Sequence, residues 1–256
     1  MKFINENELF LLEQIIKKNF ASKYKDSILG IFWSVLKPLL IMITFTIIFS
    51  TLFKGSIENY ATYFLAGKCI YDFFNGSISV SMNSIKTNQN ILKKNATSKY
   101  IFVLGGICSE FLNFLISLVI LLGVMIVTNA PFYFNTIPFA IIPIISIIMM
   151  NIGFGLMLSI ICVYYTDIQH LWSVFSLILM YSVALFYPIE IIPEPFQNYM
   201  LLNPLFWCVD QFRDFFIYGS NPDMLNIINL ILISTIILLL GIIVFKKYEK
   251  KTIMRL

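Results

Sequence analysis

The sequence predicts an all-α integral membrane protein, and three observations support this prediction. Hydrophobic residues make up 59% of the 256 residues and charged residues only 12%, with a mean hydropathy of +0.84. Six apolar stretches approach or exceed the roughly 20 residues that a helix needs to cross a bilayer. Segments such as ITFTIIFSTLF are apolar on every side, whereas the strands of a membrane barrel alternate apolar and polar residues.

The first element is an amphipathic helix predicted over residues 5–20. Leu9, Leu12, Ile16 and Phe20 recur at helical spacing, and polar residues occupy the opposite face. The helix is too polar to span a membrane and directly precedes an apolar stretch, so we expect it to lie in the cytoplasmic interface. The alternative is a helix packed against a soluble partner. We expect no cleavable signal peptide here, because this charged segment has no long apolar core.

Six membrane spans follow, and the distribution of basic residues predicts their orientation. The spans are predicted over residues 28–53, 61–82, 101–128, 137–164, 171–187 and 224–245. With this count, fourteen of the eighteen lysines and arginines fall on one side, before the first span, between spans two and three, and after the last. Basic loops stay in the cytoplasm, so both termini are predicted to be cytoplasmic.

The segment 188–222 is predicted to lie on the outer side and to hold a pair of re-entrant half-helices. Prolines interrupt short apolar and aromatic pieces throughout this segment, at Pro188, Pro193, Pro195, Pro204 and Pro222. Prolines break helices, and irregular backbone at membrane depth is tolerated only inside protein or beside a cavity. The whole chain is therefore interpreted as one transmembrane domain.

The sequence lacks the motifs of common catalytic sites. It has no phosphate-binding loop for ATP, no zinc-protease motif and no nucleophile elbow. Its four cysteines have no paired spacing, and it has a single histidine. We therefore predict no catalytic residue, no metal site and no cofactor held by this chain.

Ionisable residues within predicted spans are costly and indicate candidate sites. Lys68 and Asp72 are four residues apart on the second span and are expected to pair along one helix face, either as a structural pair or facing a substrate. Glu110 is expected to face another helix or the interface. Lys37 either extends back to the interface or faces an anionic substrate.

Several motifs, in order along the chain, resemble one family. YKDSILGIFWSVLKPLL, at the head of the first span, is similar to the signature of membrane subunits of ABC-2-type polysaccharide exporters, the O-antigen and teichoic acid translocators. The similarity continues through LAGKCIYDFFNGSISVSMNSI, NQNILKK, DIQHLW, YPIEIIPE, LLNPL and IIVFKKYEK. Each motif alone is weak evidence, but the motifs occur together in the family's order and cover nearly the whole chain.

This resemblance implies the permease half of an ATP-driven exporter in the cytoplasmic membrane. Such permeases form homodimers and work with two copies of a separate ATPase, which binds the ATP and magnesium. Their substrates are lipid-linked glycans, typically on undecaprenyl diphosphate, and include O-antigens, teichoic acids and capsules. The permease itself is not an enzyme.

The resemblance also implies a substrate-entry region at the head of the first span. Similar permeases bind the lipid diphosphate near a turn that corresponds to residues 27–30. Candidates for contacting the diphosphate or the first sugars are Lys23, Lys25, Ser27, Gly30, Trp33 and Lys37. Alternatively, the lysines only keep this segment on the cytoplasmic side of the membrane, and Trp33 only anchors the helix at the membrane interface. Pro38 belongs to the family pattern and is expected to bend the first span.

The loop 86–99 resembles the region of such permeases that docks into the ATPase. The candidates for this coupling, including two residues of the next cytoplasmic connection, are Lys86, Lys93, Lys94, Lys99, Asp167 and His170. The loop departs from the family pattern because it lacks the usual Phe-Pro-Arg after the paired lysines. The local shape of this contact is therefore expected to differ.

Aromatic residues are predicted to line the transport path, because sugar faces stack on aromatic rings. The candidates, together with the charged pair of the second span, are Tyr60, Tyr63, Lys68, Tyr71, Asp72, Phe74 and Tyr181. Two alternatives from the sequence are an ABC-2 permease for a drug or small lipid and, more remotely, a membrane glycan or phosphate transferase. Asp167 with His170 is the cytoplasmic candidate for the transferase.

Overall fold

The computed structural model describes residues 6–24, 27–53, 57–94 and 98–252, and in these ranges every regular element is helical. This confirms the all-α prediction. The α-helices are α1 Glu6–Tyr24, α2 Trp33–Phe49, α3 Tyr60–Thr87, α4 Gln89–Lys94, α5 Tyr100–Val127, α6 Ile141–Tyr164, α7 Ile168–Ser182, α8 Glu194–Leu201, α9 Pro204–Arg213 and α10 Met224–Thr252. Single 3₁₀ turns precede α2 and α6 and a third spans Ile189–Ile191, while a π-helical turn, Asp214–Tyr218, follows α9.

Four helical segments in the described ranges are long and apolar enough to cross a membrane. They are Gly30–Phe49, Tyr100–Val127, Ile137–Tyr164 and Met224–Thr252. Helix α3, with 28 residues, is about 42 Å long but more polar. Helix α7, with 15 residues, is about 22 Å long, shorter than a hydrocarbon core of roughly 30 Å. The six-span count therefore stays a prediction.

Helix α3 lies at the centre of the fold. It packs most extensively against α5 and α6, and also against α2, α7 and α9. Its first half is rich in buried aromatic side chains. Around Phe64, the rings of Phe45 and Phe186 stack on one another with their centroids 4.7 Å apart, and Phe45 also stacks on Phe64 at 4.9 Å. This aromatic cluster ties α2 and the segment after α7 to the central helix.

Helices α6 and α10 pack closely because glycines face each other. A Cβ added at Gly241 would lie 2.3 Å from the carbonyl oxygen of Gly153, and one at Gly153 would lie 2.5 Å from the carbonyl oxygen of Ile237. No side chain fits at these distances. Small residues at such crossings let two membrane helices pack backbone to backbone.

Helix α7 ends five residues before the predicted end of its span at 187. Ala184 has a positive φ of 51°, which a helix does not allow, and the following segment leads into Pro188. The carbonyl groups released in residues 184–187 accept hydrogen bonds from side chains of other helices. The hydropathy of this segment reflects burial in protein.

Three other helices extend beyond their predicted ends at residues 20, 82 and 245. Helix α1 continues to Tyr24, α3 to Thr87 and α10 to Thr252. Hydropathy marks only the apolar part of a helix, whereas the last turns of these helices are polar. Lysines in those last turns also interact favourably with the helix dipole.

Helices α2 and α7 contribute little to the interior of the protomer. Met42 is the one buried residue in the described part of α2, and none is buried in α7. Both helices flank α3 and present large apolar side chains at the surface, including Ile43, Ile47, Leu171, Val174, Phe175 and Ile178. These faces require a covering of lipid or protein.

Two short helices, α8 and α9, occupy the region predicted to be re-entrant. Helix α9 packs against α3, α6 and α10, and Leu205, Val209 and Phe212 are buried there. Asn203 accepts a hydrogen bond from the Leu205 amide and caps the helix. Helix α9 therefore packs inside the protein, and the re-entrant arrangement stays a prediction.

Candidate functional site

An ion pair joins the end of α1 to the middle of α5. The Lys23 Nζ atom lies 2.6 Å from Oε1 of Glu110 and 2.7 Å from its Oε2. The Lys23 side chain is 39% exposed and that of Glu110 only 6%. The Lys23–Glu110 pair therefore has one accessible partner and one buried partner.

Two glycines make room for this pair. Ile15 of α1 is buried against α5, where a Cβ at Gly105 would lie 2.6 Å from its Cγ2 atom. On α3, a Cβ at Gly76 would lie 2.9 Å from the Glu110 Oε2 atom. The amide of Asn113 donates to the same oxygen over 3.1 Å. Helix α1 thus docks where α5 has no side chain, and the carboxylate fills a gap beside α3.

The turn predicted to precede the first span is present. Gly30 has φ +51°, a conformation that glycine adopts without steric cost, and its amide donates to the Ser27 carbonyl over 3.1 Å. Trp33 and Lys37 follow on α2, four residues apart, and both are exposed. Among the described residues, no hydrogen bond or ion pair joins Trp33 or Lys37 to the Lys23–Glu110 pair. Lys25 lies outside the described residues.

A buried arginine binds the irregular segment after α7. Arg213, at the end of α9, is 4% exposed, and its guanidinium donates to the carbonyl oxygens of Tyr63, Ala184 and Leu185 over 3.2, 3.0 and 3.3 Å. The guanidinium also stacks 3.6 Å from the centre of the Tyr63 ring. We call Arg213 and these three carbonyl groups the carbonyl clamp.

The clamp is completed from α3. The Tyr63 hydroxyl donates to the carbonyls of Ala184 and Tyr187, and the Tyr60 hydroxyl donates to that of Phe186. Gly67 leaves space for the guanidinium, because a Cβ there would lie 2.4 Å from Arg213 Nη2. The sequence analysis assigned no role to Arg213, which lies in the predicted outer segment 188–222. Its position within the aromatic stretch QFRDFF was the available signal for burial.

The candidates for lining a transport path lie in different environments. Tyr60, Tyr63 and Phe74 are in the interior of the protomer. Lys68 pairs with Asp72 along one face of α3, as their spacing predicts. Tyr181 on α7 is 53% exposed. The pair and Tyr181 thus reach the surface, and the lining role stays a prediction for all candidates.

A polar seam joins α3 to α7 and was missed by the sequence analysis. The Trp172 indole donates to Asn75 over 3.0 Å, and the Gln169 amide donates to Asn83 over 2.5 Å. On the same face of α3, the Tyr71 hydroxyl donates to the Ser176 carbonyl, and the Lys86 ammonium donates to the Thr166 hydroxyl. Each partner pair is far apart in the chain, so no local spacing indicates the seam.

The coupling candidates lie at the end of α3, in α4, before α5 and at the start of α7. Lys93, Asp167 and His170 are exposed, and Lys86 donates to Thr166 over 3.0 Å. The side chain of Lys94 and residues 95–97 lie outside the described part of the chain. These residues include most of the departure from the family pattern.

Lys99 is buried, unlike the other coupling candidates whose side chains the structure describes. Its Nζ atom donates to the carbonyl of Glu249 near the end of α10. Burial lowers the pKa of the Lys99 ammonium, an effect that the Glu249 carboxylate opposes. In the protomer, Lys99 therefore joins α5 to α10.

Helix α1 also contacts the ends of its neighbours. Lys18 donates to Asn88 after α3 over 3.1 Å, and Glu8 accepts from Ser98 before α5 over 2.7 Å. The entry candidate Lys23 and the coupling region around α4 are thus connected through one helix. Helix α1 thus extends from the docking region, beside the start of α5, to the entry candidate Lys23 at the middle of α5.

Comparison with known proteins gives consistent matches. The profile of the ABC-2 type transporter family matches residues 11–217, which include the Lys23–Glu110 pair and the carbonyl clamp. The chain is 26% identical over 242 residues to the O-antigen export system permease protein RfbA of Klebsiella pneumoniae, covering 93% of this chain and 92% of that protein. It is 22% identical over 232 residues to RfbA of Myxococcus xanthus, covering 89% and 88% of the two chains.

A third relative exports a different class of polysaccharide. The chain is 18% identical over 238 residues to the capsule polysaccharide export inner-membrane protein CtrC of Neisseria meningitidis, covering 92% of this chain and 90% of that protein. The matches therefore extend over nearly the full length of each relative.

Proposed function

Because this chain belongs to the ABC-2 type transporter family, and hence to a family of multi-pass membrane proteins, we propose that it is the permease half of an ATP-driven polysaccharide exporter. The observation that carries the proposal is the near full-length similarity to permeases named for O-antigen and capsule export. The four long apolar helices are consistent with it.

We propose further that the substrate is a lipid-linked glycan of the undecaprenyl diphosphate type, an O-antigen or teichoic acid. The accessible Lys23 ammonium, near the Gly30 turn, supports this chemistry, because ammonium groups bind phosphate as point charges. The export direction is from the cytoplasmic to the outer side of the inner membrane. The grouping of lysines at one end of the bundle supports cytoplasmic termini.

The proposed mechanism is mechanical, and the partner subunits supply the chemistry. Two copies of a separate ATPase bind ATP and close, and the loop 86–99 transmits this motion to a homodimer of the permease. Helix α2 of one protomer then moves against α7 of the other and opens a path for the extended glycan. The exposed apolar faces of these two helices support such an interface.

Deletion of the gene in its native host tests the proposed function. We expect loss of a surface polysaccharide and accumulation of its lipid-linked precursor inside the cell, both restored by the wild-type gene. Gel analysis of the polysaccharide and mass spectrometry of extracted lipids provide the readouts. Unchanged surface polysaccharide, with altered drug resistance instead, would favour a permease for small molecules.

A further inference from the structure

We propose that Glu110 sets the affinity of the entry site for lipid phosphates by competing with the anionic substrate for the Lys23 ammonium. This inference rests on the proposed function, since it requires a lipid phosphate as the ligand. It assigns a role to a residue of α5 that the entry motif does not contain.

The geometry favours exchange of the Lys23 partner. Both carboxylate oxygens of Glu110 lie within 2.7 Å of the ammonium, so the carboxylate now occupies the position that a phosphate oxygen would take. The Lys23 side chain is 39% exposed and lies in the last turn of α1. A ligand arriving from outside the protein can therefore reach the ammonium and cannot reach the buried carboxylate.

Glu110 cannot follow Lys23 toward a ligand. Its side chain is 6% exposed, the Asn113 amide donates to Oε2, and Gly76 of α3 is packed against the same oxygen. The docking of Ile15 at Gly105 lies two turns earlier on α1 and does not depend on the pair. Loss of the ammonium would therefore leave a buried carboxylate held by one neutral donor.

The charge of the ligand decides whether this exchange is favourable. A buried carboxylate without its cation is costly, so the ligand must replace a strong charge-assisted interaction. A diphosphate has more negative charge and more acceptor oxygens than a monophosphate and compensates this cost better. Because every ligand must displace the same carboxylate, Glu110 lowers the affinity for monophosphate and diphosphate lipids by the same factor.

The test measures the binding of two lipid probes to the full chain. The permease is placed in phosphatidylcholine nanodiscs, and the binding of undecaprenyl phosphate and undecaprenyl diphosphate is measured by native mass spectrometry. We expect wild type to prefer the diphosphate. Glu110→Gln, which keeps an acceptor for Asn113, should bind both probes about tenfold more tightly and keep the preference for the diphosphate.

The matched control removes the contested cation. In a Lys23→Ala background both probes should bind weakly, and adding Glu110→Gln should change neither affinity. An equal effect of Glu110→Gln with and without Lys23, or unchanged affinities for both probes, would overturn the proposal. If Glu110→Gln does not accumulate as folded protein, Glu110→Asp, which withdraws the carboxylate from the ammonium, replaces it with the same expected direction.

Two further outcomes separate this inference from other readings. If phosphatidylglycerol in the nanodisc displaces both probes as readily as the probes displace each other, the site is a general contact for anionic lipid and the proposal of a substrate-entry site is wrong. If the gene restores polysaccharide export but the wild-type chain binds neither probe, the inference fails while the proposed function stands.

Discussion

Arg213 connects three parts of the chain through one side chain. Its guanidinium donates to carbonyls of α3 and of the segment after α7 while it stacks on Tyr63. Buried carbonyl groups without donors are costly, and hydrogen bonds from a charged donor are among the stronger ones. Replacing Arg213 should therefore lower the stability of the protein strongly.

Arg213→Met should destabilise the protein by about 3 kcal/mol or more, because it leaves the Leu185 carbonyl without a donor and removes the charged donor from the carbonyls of Tyr63 and Ala184. Thermal unfolding in detergent, followed by size-exclusion fluorescence, measures the loss. Arg213→Lys is the matched control, since it keeps the charge but lacks the planar fork that reaches several carbonyls. We expect an intermediate melting temperature for it, and two variants as stable as wild type would contradict the clamp.

Local spacing decided which residue contacts the sequence could predict. Lys68 and Asp72 are four apart on one helix, and the structure pairs them. Lys23 and Glu110 are 87 residues apart, and their contact depends on the docking of α1 at Gly105. The sequence therefore identified Lys23 as a candidate and Glu110 as facing another helix or the interface, without indicating that they meet.

At the scale of whole helices, hydropathy predicted where long apolar helices lie, because the bilayer requires them. It did not predict the length of α7, since the clamped segment after it is apolar for a different reason, burial in protein. It also did not predict the polar seam, because its donors and acceptors come from helices distant in sequence.

Gly241→Val tests the close crossing of α6 and α10. A valine side chain cannot fit 2.3 Å from the Gly153 carbonyl, so the helices must separate, at a cost of about 1–3 kcal/mol. A lower melting temperature in detergent is the expected result. Gly123→Ala on α5 is the control, since nothing lies within 4 Å of its added Cβ, and it should leave the melting temperature unchanged. Equal effects of the two substitutions would contradict the crossing.

The coupling proposal concerns the short helix α4. Lys93→Glu combined with Lys94→Glu should abolish co-purification of the ATPase or its stimulated turnover, because charge reversal repels an acidic docking surface. Lys250→Glu with Lys251→Glu makes the same change of charge at the end of α10, where both lysines are exposed, and should retain assembly. Normal assembly and turnover in the first variant would exclude α4 as the coupling element.

The whole molecule has one well-packed part and one sparsely packed part. Helices α3, α5, α6, α9 and α10 contribute most of the buried residues, whereas α2 and α7 contribute Met42 alone among the described residues. The apolar character of α2 and α7 was predictable from sequence, but their shared position beside α3 was not. Their exposed faces are the surfaces on which the homodimer proposal depends.

Cysteine cross-linking tests that homodimer. Ile43→Cys on α2 and Ile178→Cys on α7, placed in two differently tagged copies, should form a disulfide across the interface on oxidation. Both positions are exposed, at 47% and 60%, and each is ten residues from the start of its helix. Cys108 is replaced by alanine beforehand, because it is partly exposed and could form unwanted disulfides. The other three cysteines are buried.

The control pair joins Ile178→Cys to Ile236→Cys on α10, where the side chain is 54% exposed. This pair should not cross-link if α10 faces lipid. Efficient cross-linking of the control, or none of the α2–α7 pair, would contradict the proposed interface.

The polar seam between α3 and α7 has a consequence for what can come between them. In hydrocarbon, separating the two helices would leave several hydrogen-bond donors and acceptors without partners, each at a cost of a few kcal/mol. Water or a molecule rich in hydroxyl groups would replace those partners at little cost. The two helices therefore separate easily only around a wet, polyhydroxylated chain, and a lipid tail entering between them would meet an energetic barrier.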